Sequence, residues 1–277
     1  MRTQGGIMSA DLKVGIAGLG AIGLPVARWL DAGVPGLRLV AVSSSSIDKA
    51  RSLTESFTNP PEVVALEELP RHADVVIEAL PPDRFRSLAV PALEAGSTLI
   101  VVSLTQLLAN RDLVDLARQT GGRIIAATGA IAGLDAVRAA AKSELIRAVM
   151  RTRKPPASLA GAVFVREANI DLSELTEPLC LYSGTVTEAA QKFPANVNVA
   201  VALSLAGWGP DHTDYEVWAD PGIDRNTHSI LIETDAIKLE ISVANVPSSE
   251  NPATGRITPF SVMAALERLV SPITIGS

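Results

Sequence analysis

The chain has 277 residues, of which 47% are hydrophobic and 19% charged, and its formal net charge is -6. That length can bury a sizeable core in one large or two ordinary domains, and that apolar content excludes low-complexity disorder. The balance of 24 Lys and Arg against 30 Asp and Glu gives no general attraction for nucleic acid, and the lone Cys180 excludes a disulfide scaffold or thiolate metal cluster.

Residues 1–10 are polar and read as a leader or an over-long start, since Met8 would serve equally well as the first residue. No stretch reaches the roughly 18–20 apolar residues that span a bilayer, so no membrane partner is expected, and the expected compartment is the cytoplasm. Residues 14–17 form a short apolar run, read as a strand. A helix over 22–31 follows, with Ile22, Val26 and Leu30 on one face and Gly33 as its stop. Residues 37–42, 75–80, 98–104 and 123–127 read as further strands, with helices over 84–95 and 111–119. The strands are nearly continuous in apolar residues, as strands covered on both faces should be. This alternation predicts a parallel sheet with helices on both sides.

The character changes near residue 130. A helix is expected over 132–142, and then the run 151–156, Arg-Thr-Arg-Lys-Pro-Pro, breaks the pattern. Strand-like segments follow at 180–183, 215–219, 229–233 and 238–243, the last two joined as a hairpin through 234–237. A helical region over 187–206 must break or kink at Pro194. A final helix over 261–270 is expected to pack back on the first domain. The fold class is therefore α/β, with an N-terminal Rossmann-type dinucleotide-binding domain and a second α+β domain carrying a largely antiparallel sheet. The expected boundaries are 1–12 for the leader, 13–130 for the dinucleotide domain, 131–250 for a catalytic and oligomerisation domain, and 251–277 for the C-terminal helix. A homo-oligomer, dimer or tetramer, is expected through the second domain.

The dinucleotide assignment rests on Gly18-Leu19-Gly20-Ala21-Ile22-Gly23, which closes the first strand and opens the first helix. The first glycine allows the tight turn, the second admits a pyrophosphate to the backbone, and the third lets helix and strand pack closely. The amides at this helix end, including those of Ala21 and Ile22, offer donors and a positive dipole end to phosphate. An acid is also due about 20 residues on, to hold a ribose 2′-hydroxyl. The second strand instead ends in Ser43-Ser44-Ser45-Ser46, and the first acid is Asp48. The cofactor is therefore NAD or NADP, with Ser43 at the ribose end.

Three histidines are available for proton chemistry near neutral pH. His72 precedes a strand at the sheet's amino end, away from the expected crevice. His212 falls in a polar turn. His228 stands at the mouth of a strand, after Arg225-Asn226-Thr227, where a loop residue is well placed to meet a substrate. Asn196 and Asn198, beside Pro194, offer amide groups inside an otherwise apolar helical region. Arg151, Arg153 and Lys154 are candidates for clamping a dicarboxylate, although at least two of the three read as a solvated turn.

Several blocks together resemble the L-aspartate dehydrogenases. They are the glycine turn, residues 129–135, 151–156, 193–200, 203–207, 219–221, 225–228 and 251–252. The resemblance runs in order over nearly the whole chain from about residue 13. It implies oxidation of L-aspartate to iminosuccinate, which hydrolyses to oxaloacetate and ammonia, with NAD or NADP. It implies that His228 is the active-site residue, taking the amine proton or activating water, and that Ala130 and Asn198 contact the cofactor. Asn196 and Thr227 are the expected substrate contacts. The chain departs from the family at Ala79-Leu80-Pro81-Pro82 and at Ser103-Leu104-Thr105-Gln106-Leu107. The rival readings are a homoserine dehydrogenase-like or dihydrodipicolinate reductase-like enzyme, and a dinucleotide-binding regulator without turnover.

Overall fold

The computed structural model describes residues 10–193, 197–246, 248 and 255–276. They fall into two compact units. The first gathers the described residues up to Val101 with Arg111–Ile125 and Met263–Ile273; the second holds Val102–Asn110, Ala126–Val262 and the residues from Thr274.

In chain order the first part comprises β1 (Leu12–Ala17), α1 (Gly23–Asp31), β2 (Leu37–Ser43), α2 (Ile47–Thr54), β3 (Glu62–Val63), α3 (Leu69–His72), β4 (Val75–Glu78), α4 (Phe85–Glu94), β5 (Thr98–Val101), α5 (Leu104–Ala109), α6 (Asp112–Thr120) and β6 (Arg123–Ala126). The strands form a sheet in the order β3-β2-β1-β4-β5-β6, parallel from β3 through β5. This is the order of the dinucleotide-binding folds, whose direction reverses beside β1. Val14, Ile16, Val76, Ile77, Leu99 and Ile100 are fully buried, which accounts for the unbroken apolar runs in the sequence.

The expected strand over 98–104 stops at Val101, and α5 begins at Leu104. Helix α2 was not legible as an apolar stripe, because only Ala50 and Thr54 are buried, while Ile47 is 52% exposed and Leu53 is half-buried. Its start is set by Ser46, whose Oγ accepts from the Lys49 amide at 3.3 Å.

The remaining elements are α7 (Leu134–Ala140), β7 (Leu145–Lys154), α8 (Val163–Glu167), β8 (Leu179–Thr185), α9 (Val186–Lys192), α10 (Asn198–Ala206), β9 (Asp214–Ala219), β10 (Thr227–Thr234), β11 (Lys238–Ala244) and α11 (Thr258–Val270). The second sheet runs β11-β10-β7-β9-β8, antiparallel except for the parallel pair β7 and β9. The β10–β11 hairpin closes as expected. Thr234 Oγ1 accepts from the Ala236 and Ile237 amides, at 3.1 and 3.0 Å. The helical region does divide into α9 and α10, while Pro194 itself lies outside the described residues.

One expectation is corrected. The run from Arg151 to Lys154 is no break and no solvated turn: it is the end of β7, the sheet's central strand, paired with β9 on one side and β10 on the other. The strand's period of two hides there among charges. Met150, Thr152 and Lys154 are buried, while Arg151 and Arg153 alternate with them and are half-buried. The two arginines are held on their own face by Glu216 at 2.6 Å and Asp220 at 3.0 Å, and both guanidinium groups lie over the Trp218 ring, within 5.7 Å.

Candidate active site

In the first unit the glycine turn has the geometry its spacing demands. Gly18 sits at φ +93°, and a side chain there would run into the Ala79 carbonyl oxygen. A side chain at Gly23 would overlap the Gly18 carbonyl and press on Ile16. Gly20 differs: it is exposed and nothing lies within 4 Å of where its Cβ would be. The turn is tied to β2 by the Gly18 amide, which donates to the Ser43 carbonyl at 2.8 Å. Helix α1 has no side-chain cap and no acid in its first turn, so its positive end is left for an anion. Ala21 and Ile22 are half-buried at this end.

The serine run is divided in its use. Ser43 is buried inside β2 and Ser46 caps α2, which leaves Ser44 half-buried and Ser45 exposed beyond the strand end. The open space at Gly20 and the uncapped helix fit a dinucleotide's diphosphate. Gly20→Ala is accordingly expected to keep the wild-type Tm yet weaken NAD binding roughly 10-fold or more, the worth of one charge-assisted hydrogen bond. A calorimetric titration showing unchanged affinity would remove the turn from the cofactor site.

In the second unit, His228 is the second residue of β10 rather than a residue of the preceding loop, and it is only 5% exposed. Register places it across from Thr152 on β7. The Nδ1 atom lies 3.0 Å from Thr152 Oγ1, and the Tyr215 hydroxyl, from β9, donates to the same oxygen at 3.0 Å. Thr152 and Tyr215 are completely buried. Burial, with a smaller contribution from the Lys154 charge, lowers the His228 pKa to about 4, so the ring is neutral at physiological pH. Burial likewise lowers Lys154 to about 8. Among the described residues His228 Nε2 has no hydrogen-bond partner. One end of an otherwise apolar sheet face thus carries an imidazole, a hydroxyl pair and an ammonium.

Thr227 is not brought to this group, because successive residues of a strand leave it on opposite faces. Asn196 lies outside the described residues. Asn198 opens α10, and its Oδ1 accepts from both the amide (2.9 Å) and the hydroxyl (2.6 Å) of Thr105. Its Nδ2 has no partner among the described residues. The departure noted at 103–107 therefore supplies a clamp on Asn198. The Ala130 carbonyl accepts from Asn245 Nδ2 at 3.1 Å, and the neighbouring Gly129, at φ +62°, donates its amide to Ser261 Oγ at 3.2 Å. His72 closes α3 and pairs with Glu62 at 3.3 Å, and His212 is exposed in a turn. Sequence reasoning missed Thr152 and Tyr215. The alternation of Met150, Thr152 and Lys154 was the only signal for the first of them.

Comparison with known proteins agrees with both halves. Residues 135–269 match the family model described as "Aspartate dehydrogenase, C-terminal", and residues 18–127 match "Homoserine dehydrogenase, NAD binding domain". The chain is 47% identical to an L-aspartate dehydrogenase of Bradyrhizobium diazoefficiens, over 97% of this chain and 95% of that protein. It is 48% identical to L-aspartate dehydrogenase 3 of Bordetella bronchiseptica, over 96% and 98%. The crystal structure of aspartate dehydrogenase from Thermotoga maritima shares the fold at a TM-score of 0.73 with 23% identity, covering 96% of this chain and all of that one.

Proposed function

The chain belongs to the aspartate dehydrogenase family, and from that premise we propose that it oxidises L-aspartate to iminosuccinate with NAD or NADP, or runs the reverse reductive amination. The observation that carries this reading is the neutral, buried His228 sharing a sheet face with the Lys154 ammonium. A dicarboxylate needs a cation, and an amine being turned into an imine needs a group that handles protons.

The roles follow from the chemistry of each group. The Gly18–Gly23 turn holds the cofactor's diphosphate, with Ser43 at the ribose end, and Ala130 and Asn198 are its other proposed contacts. When bound, the nicotinamide supplies hydride-accepting chemistry. Lys154 pairs with a substrate carboxylate. His228 serves the substrate through Nε2, since Nδ1 is engaged by Thr152. Arg151 and Arg153 are excluded from that task by their carboxylate partners on the opposite face. Thr227 and Asn196 remain proposals for substrate contact. Among the described residues no helix is long and apolar enough to cross a membrane. In the same reading the enzyme is a cytoplasmic homo-oligomer, dimer or tetramer, whose mass light scattering would give.

The test is direct. Purified protein with L-aspartate and NAD is expected to produce reduced nicotinamide absorbance, and D-aspartate and L-homoserine are expected to produce none. NADP is expected to serve as well, because no acid stands at the end of β2 to repel a 2′-phosphate. Turnover of homoserine without turnover of aspartate would replace this reading by its nearest rival.

A further inference from the structure

We propose that Thr105 is a positioning residue that holds the Asn198 carboxamide by its oxygen, so that Asn198 meets the cofactor through Nδ2 as a hydrogen-bond donor to the carbonyl oxygen of the nicotinamide carboxamide. The inference rests on the reading of Asn198 as a cofactor contact, and it specifies what that side chain presents and to which atom. Its basis is a pair of hydrogen bonds that can each run in one direction only. The Thr105 amide is a donor and Asn198 Oδ1 carries no hydrogen, so the 2.9 Å contact runs from nitrogen to oxygen. The Thr105 hydroxyl, 2.6 Å from the same oxygen, can only donate to it. Turning the carboxamide over would set its NH2 group against a backbone N–H, two donors face to face. The Thr105 amide also needs this acceptor. It lies in the first turn of α5, where amides have no partner within the helix, and Ser103 provides no side-chain cap. Thr105 is 7% exposed, and among the described residues Asn198 Oδ1 is the acceptor that keeps its amide from being buried unpaired.

Asn198 is left with one kind of group to offer. Two donors occupy its oxygen, while Nδ2 carries two hydrogens that no described residue accepts. The side chain is half-buried at the start of α10, so a ligand can reach it. On the cofactor, the diphosphate oxygens belong to the Gly18–Gly23 turn in this reading, and the reacting end carries a strong acceptor in its carboxamide oxygen. A donor fixed on that oxygen resists rotation of the ring about its bond to the ribose, and so helps to hold one face toward the substrate. Thr105 lies in the segment 103–107, where the chain departs from the family.

The experiment compares calorimetric affinities for NAD and for its thionicotinamide analogue, whose sulfur is a weak acceptor. The wild type is expected to bind NAD about 5-fold more tightly than the analogue, the worth of a neutral hydrogen bond. Asn198→Asp keeps an acceptor for both Thr105 donors and removes the Nδ2 donor. It is expected to hold the wild-type Tm, to bind NAD roughly 10-fold or more weakly, and to lose the preference for oxygen over sulfur. Thr105→Val is expected to weaken NAD binding about 3-fold and to reduce that preference, while Thr105→Ser restores both. A wild type with no preference for oxygen overturns the proposal, as does a preference that survives Asn198→Asp or a Thr105→Val protein that binds both dinucleotides as the wild type does. The clamp itself is read without cofactor. Thr105→Val is expected to lower Tm by about 2–4 °C beside Asn198 and by less beside Asn198→Ala, and equal losses in the two backgrounds overturn it. Should Asn198 prove to touch no cofactor, the Tm cycle still shows the clamp while the oxygen preference is missing, so the two failures are separable.

Discussion

His228→Ala is expected to lower kcat for aspartate oxidation by ~10²–10⁴-fold, the range in which a positioned proton-handling group acts. The KM for the cofactor should stay within about 2-fold, because the diphosphate site and the histidine belong to different parts of the chain and their energies add. The same substitution has a second readout that needs no substrate. In the folded state the ring takes a proton only near pH 4, whereas in the unfolded chain it does so near 6.5. Between those values the unfolded state binds more protons, so stability falls as pH drops from 6.5 towards 4. The full difference is about 3 kcal/mol, at roughly 1.4 kcal/mol per unit. Replacing the histidine removes this acid-side loss. The expected result is a Tm that declines less between pH 6.5 and 4 than in the wild type. A variant with normal turnover ends the catalytic assignment. One with an unchanged acid limb means that the ring is not the buried neutral group described here.

How far the sequence reveals this site depends on the distance over which each feature is specified. The glycine turn is local: six residues fix a positive φ at Gly18, a close contact at Gly23 and open space at Gly20, and the spacing alone predicts all three. Strands β1, β2, β4 and β5 were readable because both faces are covered and the residues are apolar throughout. Strand β7 was not, since its buried positions near the end are Thr152 and Lys154 and the intervening arginines find carboxylates only after folding. The hydroxyl pair beside His228 is the least legible part. Thr152 is 76 residues from His228 and 63 from Tyr215, and nothing in the local pattern of any one of them announces the others. His228 was found by its surrounding motif, but its burial, and hence its neutrality, is a property of register across three strands.

Lys154→Met is expected to make the protein more stable and the enzyme worse. The side chain is 7% exposed at the end of β7, on the face it shares with Thr152, and desolvation lowers its pKa from 10.5 to about 8. At neutral pH the ammonium is charged in both states. The folded state therefore carries the whole desolvation penalty there, about 3 kcal/mol for a shift of this size. The penalty fades as pH rises from 8 to 10.5, where the folded protein has released the proton and the unfolded chain has not. Methionine has a similar length and no charge, so at pH 7 the variant should gain up to about 3 kcal/mol and a higher Tm, and that gain should shrink above pH 8. A carboxylate of aspartate arriving at Lys154 would form a charge-assisted bond worth about 1.5–3 kcal/mol. The variant's KM for aspartate is therefore expected to rise roughly 10- to 100-fold, while its affinity for NAD stays the same. A more stable variant with an unchanged KM for aspartate would mean that the cation serving the substrate lies elsewhere, and a variant less stable than wild type would mean that the ammonium is held by the fold itself.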